Sequence, residues 1–199
     1  MVERKEDPFN PEIILKLCSD VCENLVDFPI EPFCKAMNEY TKLLKLLGSA
    51  MSLAFSDITS KTAALMGHLQ TYKGQIKGLM TLIQLEIRIG VQNLSGENNK
   101  KLTKNKNLWK YESGARTALR LLWFMDFLTV MFRELIQNPQ FSYPKVVKIA
   151  YNEALGPHHE VIYRLAAQAG FLVAPGREVF YTNFCGIFLI LKKERGFKN

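Results

Sequence analysis

Apolar residues recur at three- and four-residue intervals through most of this chain, and no stretch alternates apolar with polar positions for a strand's length. The spacing predicts a first helix over about 11–26, opened by Asn10-Pro11 and carrying Ile13, Ile14, Leu17, Val21 and Leu25. Asp27-Phe-Pro-Ile-Glu-Pro32 reads as a turn. A second helix follows over 32–47, through Phe33, Met37, Tyr40, Leu43, Leu44 and Leu47. Gly48-Ser49 then breaks the pattern, and further helices are expected over 49–68 and 70–92. The segment 93–107 is polar, basic and aperiodic, which predicts a mobile loop. The most apolar helix is expected over 110–137, ended by Asn138-Pro139. Ser142 and Pro144 open a short helix over 143–155, Gly156-Pro157 punctuates, and another helix runs to about 172. Ala174-Pro-Gly176 separates a last helix over 177–191. About eight helices with one long connection predict a single all-α domain over 1–199.

Composition narrows the class. Hydrophobic residues make up 48% of 199 positions, enough for a sizeable core. The net charge of +7 favours acidic partners: nucleic acid, an anionic membrane or a phosphorylated small molecule. No apolar run reaches the roughly 18 residues of a membrane span. Leu119–Phe132 is interrupted by Arg120 and Asp126, and Val179–Leu191 by Thr182 and Asn183. The charged start, Met1-Val-Glu-Arg-Lys-Glu-Asp, lacks the apolar region of a signal peptide. None of the four cysteines (Cys18, Cys22, Cys34, Cys185) forms a Cys-x-x-Cys pair, which suits a reduced, cytoplasmic protein. No Gly-x-Ser-x-Gly, P-loop or His-Glu-x-x-His motif and no nucleophile–base spacing points to an enzyme, a metal or a cofactor.

Two short patterns carry the chemistry. Asp57-Ile-Thr-Ser-Lys61 sets an acid and a base four residues apart, on one helix face. By itself this is also what a surface ion pair looks like, worth about 0.3–0.5 kcal/mol. Ser113-Gly-Ala-Arg116-Thr-Ala-Leu-Arg120 sets two like charges at that spacing, which costs a few tenths of a kcal/mol. The obvious acid on that helix is Glu112, four residues before Arg116. The arginine face continues through Trp123, Phe124, Phe127 and Met131, so it passes from cationic to apolar, unlike a solvated face. The competing reading is Arg120 snorkelling from a core helix. Far downstream lies Pro157-His158-His159, where a lone histidine is more often structural than ligand-binding. Lys100, Lys101, Lys104 and Lys106, followed by Trp109, are either a solvated loop or an attraction to anionic lipid, near 1 kcal/mol per lysine.

At these residues the sequence resembles the glycolipid transfer protein family, over about 30–190. The resemblance implies an all-α two-layer helical sandwich that moves single sphingolipids between membranes without hydrolysing them. It assigns Asp57 to the sphingoid amide and hydroxyl, and His159 to the acyl amide carbonyl. Arg116 and Arg120, with Lys61, resemble the phosphate-binding cations of the ceramide-1-phosphate branch. Leu53, Phe124, Phe127 and Met131 are candidates for the hydrocarbon pocket. Where the family carries a membrane-resting tryptophan shortly after its histidine, this chain has Val161, so Lys100, Lys101, Lys104, Lys106 and Trp109 are the candidate membrane contacts. The helix over 11–26 lies outside the resemblance. The resulting expectation is a cytoplasmic monomer with a sphingolipid ligand, transient peripheral membrane contact and no nucleic acid. Two alternatives stand beside it. One is glycolipid transfer on the same fold, with Trp123 or another aromatic residue stacking the sugar. The other is a basic helical module that binds nucleic acid or protein.

Overall fold

Helices are the regular elements among the described residues of the computed structural model, which are 9–23, 25–46, 52–182 and 184. One isolated bridge joins Ser95 to Glu112. Asn10 opens α1 (Pro11–Cys22), its side-chain oxygen accepting the Glu12 amide at 3.0 Å. α1 ends short of the predicted residue 26. α2 (Ile30–Leu46) begins two residues earlier than the pattern suggested. Pro32 falls in its first turn, where an amide has no partner within the helix and its loss costs little. α3 spans Ser52–Thr71.

The single helix predicted over 70–92 does not form. The chain turns through 72–78, with Gly74 at φ 80°, and re-enters a helix only at α4 (Leu79–Ile89). Asp27 causes the restart. Its carboxylate accepts the Met80 and Thr81 amides at 2.8 and 3.1 Å, placing a negative charge on the positive end of α4. Gly78 lets the backbones meet, because a Cβ there would come within 2.5 Å of the Asp27 carbonyl oxygen.

The segment expected to be a mobile loop is instead built around a side chain. Asn99 is fully buried at the start of the short α5 (Asn99–Leu102). It accepts the Ser95 amide at 2.6 Å and donates to the carbonyls of Leu108 and Tyr111 at 2.8 and 2.7 Å. Local hydrogen bonding here replaces the apolar periodicity that marks a folded segment. α6 (Gly114–Gln137) follows, then α7 (Tyr143–Ala150), which runs into a π-helical turn, Tyr151–Leu155. A 3-10 turn, Gly156–His158, precedes α8 (Val161–Leu172), and residues 177–182 are helical again. α8 therefore begins after Pro157, not at it. Most of the last predicted helix, to 191, lies outside the described residues.

The chain falls into two compact units, and the division cuts α1, α2, α3 and α6. One unit takes the described residues within Met1–Ile14, Glu39–Ser56 and Met125–Asn199. Its core holds Phe127, Met131, Tyr143, Val146 and Phe180, with the Tyr143 and Phe180 rings stacked at 4.6 Å. The other takes Leu15–Asn38 and Asp57–Phe124. Its core holds Ile30, Met37, Leu65, Leu82 and Leu121. Each such side chain contributes about 1.5–3 kcal/mol on leaving water. In this second core the Cys34 thiol is pushed up to about 12 by burial. Among the described residues no helix is long and apolar enough to cross a membrane.

Candidate functional site

Ile58, Thr62 and Leu65 point α3 into its unit, and Thr62 bonds Asn38 of α2 at 2.8 Å. That registration sets Asp57 and Lys61 beside each other, and they form an ion pair. The pair is asymmetric: the Lys61 side chain is 14% exposed and that of Asp57 60%. Asp57 thus offers its carboxylate to solvent, with its charge already met from below.

On α6 the buried positions include Thr117, Ala118, Leu121 and Phe124, and later Phe127 and Met131. Arg116 is exposed and Arg120 partly so, and Trp123 is half-buried one turn further along. The face therefore passes from cationic to apolar as the sequence suggested. Among the described residues neither guanidinium has a carboxylate partner. Glu112, the expected partner of Arg116, precedes the first residue of α6, so helical spacing does not apply to it. The predicted start at 110 is too early by four residues, because Glu112 is held outside the helix. The carbonyl of Glu112 is bonded by His68 Nε2 at 2.8 Å, and its carboxylate lies against Gly96.

α6 begins where it does because of Glu86, which sequence reasoning passed over. This side chain of α4 is fully buried. One oxygen accepts the Gly114 amide at 2.6 Å and the Tyr111 hydroxyl at 3.0 Å. The other accepts the Ser113 hydroxyl at 2.9 Å and the Ala115 amide at 3.1 Å. A buried carboxylate is tolerable only with such satisfaction, and here the positive end of α6 adds to it. Gly114 permits the approach, since a Cβ would sit 2.4 Å from Leu82 Cδ2, one turn before Glu86. Burial, a hydrogen bond to Tyr72 and the Glu86 charge all push the Tyr111 phenol well above its usual range, so it stays a donor. Asp57, Lys61, Arg116 and Arg120 all belong to this unit.

His159 belongs to the other unit. Its Nδ1 is 2.8 Å from the Tyr151 hydroxyl, and burial raises the Tyr151 pKa, which keeps that phenol protonated. If the phenol donates to Nδ1, Nε2 carries the ring proton and is a donor. Tyr151 is a second residue that sequence reasoning missed. The Phe124, Phe127 and Met131 side chains are buried, whereas the side chain of Leu53 lies outside the described residues.

The glycolipid transfer protein family model matches residues 28–186. This chain belongs to that family. A ceramide-1-phosphate transfer protein of Danio rerio is 24% identical over 177 residues, covering 88% of this chain and 79% of that protein. The crystal structure of human ceramide-1-phosphate transfer protein with 12:0 ceramide-1-phosphate has a TM-score of 0.73 at 21% identity, covering 88% of this chain and 80% of that one. An Arabidopsis accelerated-cell-death 11 variant complexed with C12 ceramide-1-phosphate has a TM-score of 0.69 at 18% identity, covering 90% and 81%. At these identities the likeness to the solved structures is one of fold.

Two surfaces of this family member carry the remaining candidate residues. In the basic segment Lys100, Lys101, Lys104 and Lys106 are exposed. Trp109 is not free to leave it: its indole N–H donates to the Thr103 carbonyl at 3.2 Å, and the Lys100 and Lys106 ammonium groups lie 5.3 and 5.9 Å from its ring. α8 has no buried residue, and Val161, Ile162, Tyr163 and Leu165 are all exposed. A groove of about 500 Å³ beside it sets Lys145 and Lys148 near Phe171 and Leu172.

Proposed function

We propose that this chain carries single sphingolipid molecules between membranes without covalent change, and that its preferred cargo is a ceramide bearing a phosphate. The observation that carries this reading is the arginine pair. Two guanidiniums one helical turn apart, without carboxylate partners among the described residues, repel each other until an anion arrives. A phosphate monoester supplies up to two negative charges and accepts the forked hydrogen bonds that guanidinium groups make. The relatives named for ceramide-1-phosphate support the same head group.

Asp57 is proposed to accept from the sphingoid amide and hydroxyl, displacing Lys61, whose ammonium then turns to the phosphate. His159, its ring set by Tyr151, keeps its assignment to the acyl amide carbonyl. A chain of ~15 methylenes would cost on the order of 12 kcal/mol in water. Leu53, Phe124, Phe127 and Met131 are proposed to help shelter it. Transfer needs no bond to break, so no nucleophile is called for. The second reading, a glycosylated ceramide stacked on Trp123, rests on the half-exposed indole beyond the arginines.

The test is transfer of ceramide-1-phosphate and glucosylceramide between vesicles by the purified chain. Faster phosphate transfer that falls in Arg116→Leu/Arg120→Leu supports the reading, and preference for the sugar lipid sinks it. Asp57→Val should abolish transfer of both while keeping the helical circular dichroism spectrum. For docking, the four lysines of the basic segment are proposed to meet anionic membranes transiently. Their replacement by Gln should remove most of the salt dependence of vesicle adsorption, which acts over about 10 Å at 0.1 M salt. Undiminished salt dependence would move docking to α8 and its two neighbouring lysines. The protein is proposed to act as a cytoplasmic monomer.

A further inference from the structure

We propose that Glu86 is a positioning residue for the head-group arginines, setting the phosphate preference from inside the core without touching the lipid; this rests on the phosphate reading above. The argument begins with where Arg116 stands. Ser113 is the residue before α6, and Arg116 is the third residue within it. It therefore lies in the first turn, where amides have no partner inside the helix and fraying starts. A cation there also opposes the helix dipole. A capping box would place Glu or Gln at this position to hold the turn. This chain has Arg116 instead, and the acid comes from α4.

Glu86 takes over the first turn in another way, while the Ser113 amide, which a capping-box acid would accept, donates to the Leu94 carbonyl at 3.0 Å. Glu86 binds the amides of Gly114 and Ala115 and the hydroxyl of Ser113, and Ser113 Oγ lies 3.3 Å from the Arg116 amide as its acceptor. A hydrogen-bonded path thus runs from a fully buried carboxylate to the backbone of Arg116. The path also settles how an anion can be read here. Helix N-terminal amides are a ready anion site, but here those of Gly114 and Ala115 are taken by Glu86 and that of Arg116 by Ser113 Oγ. A phosphate near this end is left to the side chains of Arg116 and Arg120. Fork-to-fork recognition depends on angle as well as distance, so a loosened first turn misdirects Arg116 first and Arg120, a turn deeper, less. Asp27 holds the start of α4 in the same way, so the acid that steers α6 is itself on a helix with a fixed end.

The experiment measures equilibrium binding of ceramide-1-phosphate and of glucosylceramide, each presented in phosphatidylcholine vesicles, to the full chain and its variants. Glu86→Gln is expected to lose about tenfold for the phosphate lipid, the scale of one weakened charged hydrogen bond, and less than about twofold for the sugar lipid. In an Arg116→Leu/Arg120→Leu background the same substitution should cost the phosphate lipid nothing more. Equal losses for the two lipids, or an undiminished loss in the arginine-free background, would make Glu86 a residue of the fold alone and overturn the proposal. Should Glu86→Gln fail to fold, Ser113→Ala leaves the carboxylate and its other donors in place. It is expected to show the same selective loss at about threefold, and an unselective loss or none overturns the proposal. If the arginine variant itself binds ceramide-1-phosphate as the unaltered chain does, the phosphate reading falls first and this inference with it. If the arginines matter and Glu86 shows no selectivity, only this inference falls.

Discussion

The two ends of α6 are held by the same device with opposite sign, and only one of them leaves charge to spare. At the N-terminal end the Glu86 carboxylate takes up backbone amides. At the C-terminal end the Arg177 guanidinium donates to the carbonyls of Leu135, Asn138 and Phe141 and to the Tyr181 hydroxyl. Each charge complements the pole of the helix it meets. The cations nearby differ. Arg133, in the last turns, is spent on Glu134 and Glu153, the latter at 2.9 Å. Arg116 and Arg120, in the first turns, meet no acid among the described residues. An arginine whose donors are filled by its own protein is part of the fold. One whose donors are kept clear of acids can be filled by something else. The comparison teaches that the helix is secured at both ends by charges other than the ones it presents.

Four variants sharpen or break this contrast. Glu86→Ala removes the acceptor for four buried or half-buried donors and should cost on the order of 3 kcal/mol in urea unfolding. A loss below about 1 kcal/mol would mean that α6 does not depend on its buried acid. Arg116→Leu/Arg120→Leu should weaken phosphorylated-ceramide binding ten- to hundredfold, about 1.5–3 kcal/mol, with unfolding midpoints nearly unchanged. A large stability loss instead would place these arginines with the fold. Arg177→Ala should do the reverse, lowering stability by about 2 kcal/mol while the ratio of phosphate to sugar lipid bound stays fixed. A shifted ratio would show that the far end of α6 also tunes the head-group site. Arg133→Gln should leave the unfolding midpoint nearly unchanged, because its ion pairs are exposed, and leave binding alone. Any measurable binding defect there would undo the distinction between spent and available cations.

The helices themselves were legible because apolar spacing of three and four residues is a local property, and α6 with its shift from arginine to aromatic could be read directly. The boundaries were not, wherever a distant side chain decided them. Asp27 starts α4 from 53 residues before Met80, Glu86 starts α6 across 28 residues, and no short window of sequence contains both partners. A signal existed in each case. Gly74 and Gly78 stood inside a pattern that read as one helix. Arg116 stood where a capping acid belongs, which implied that the acid came from elsewhere. Glu86 itself looked like an ordinary polar position in Gln84-Leu-Glu86-Ile-Arg88. Asn99 escaped notice for another reason: a segment folded by amide hydrogen bonds has the composition of a flexible one.

The hydrogen bond between Tyr151 and His159 measures length. In continuous α-helix, residues eight apart stand about 12 Å from one another along the axis. Here their side chains meet at 2.8 Å because the chain widens into a π turn, tightens through Gly156–His158 and then straightens. Asn152 is exposed, so its identity is free to drift. The number of residues between the two rings is not. Each residue gained or lost there would rotate the downstream chain by about 100°, breaking the contact while leaving both rings in the chain. Across this segment the spacing itself is what the contact depends on, and insertions and deletions are forbidden where an exposed substitution is not.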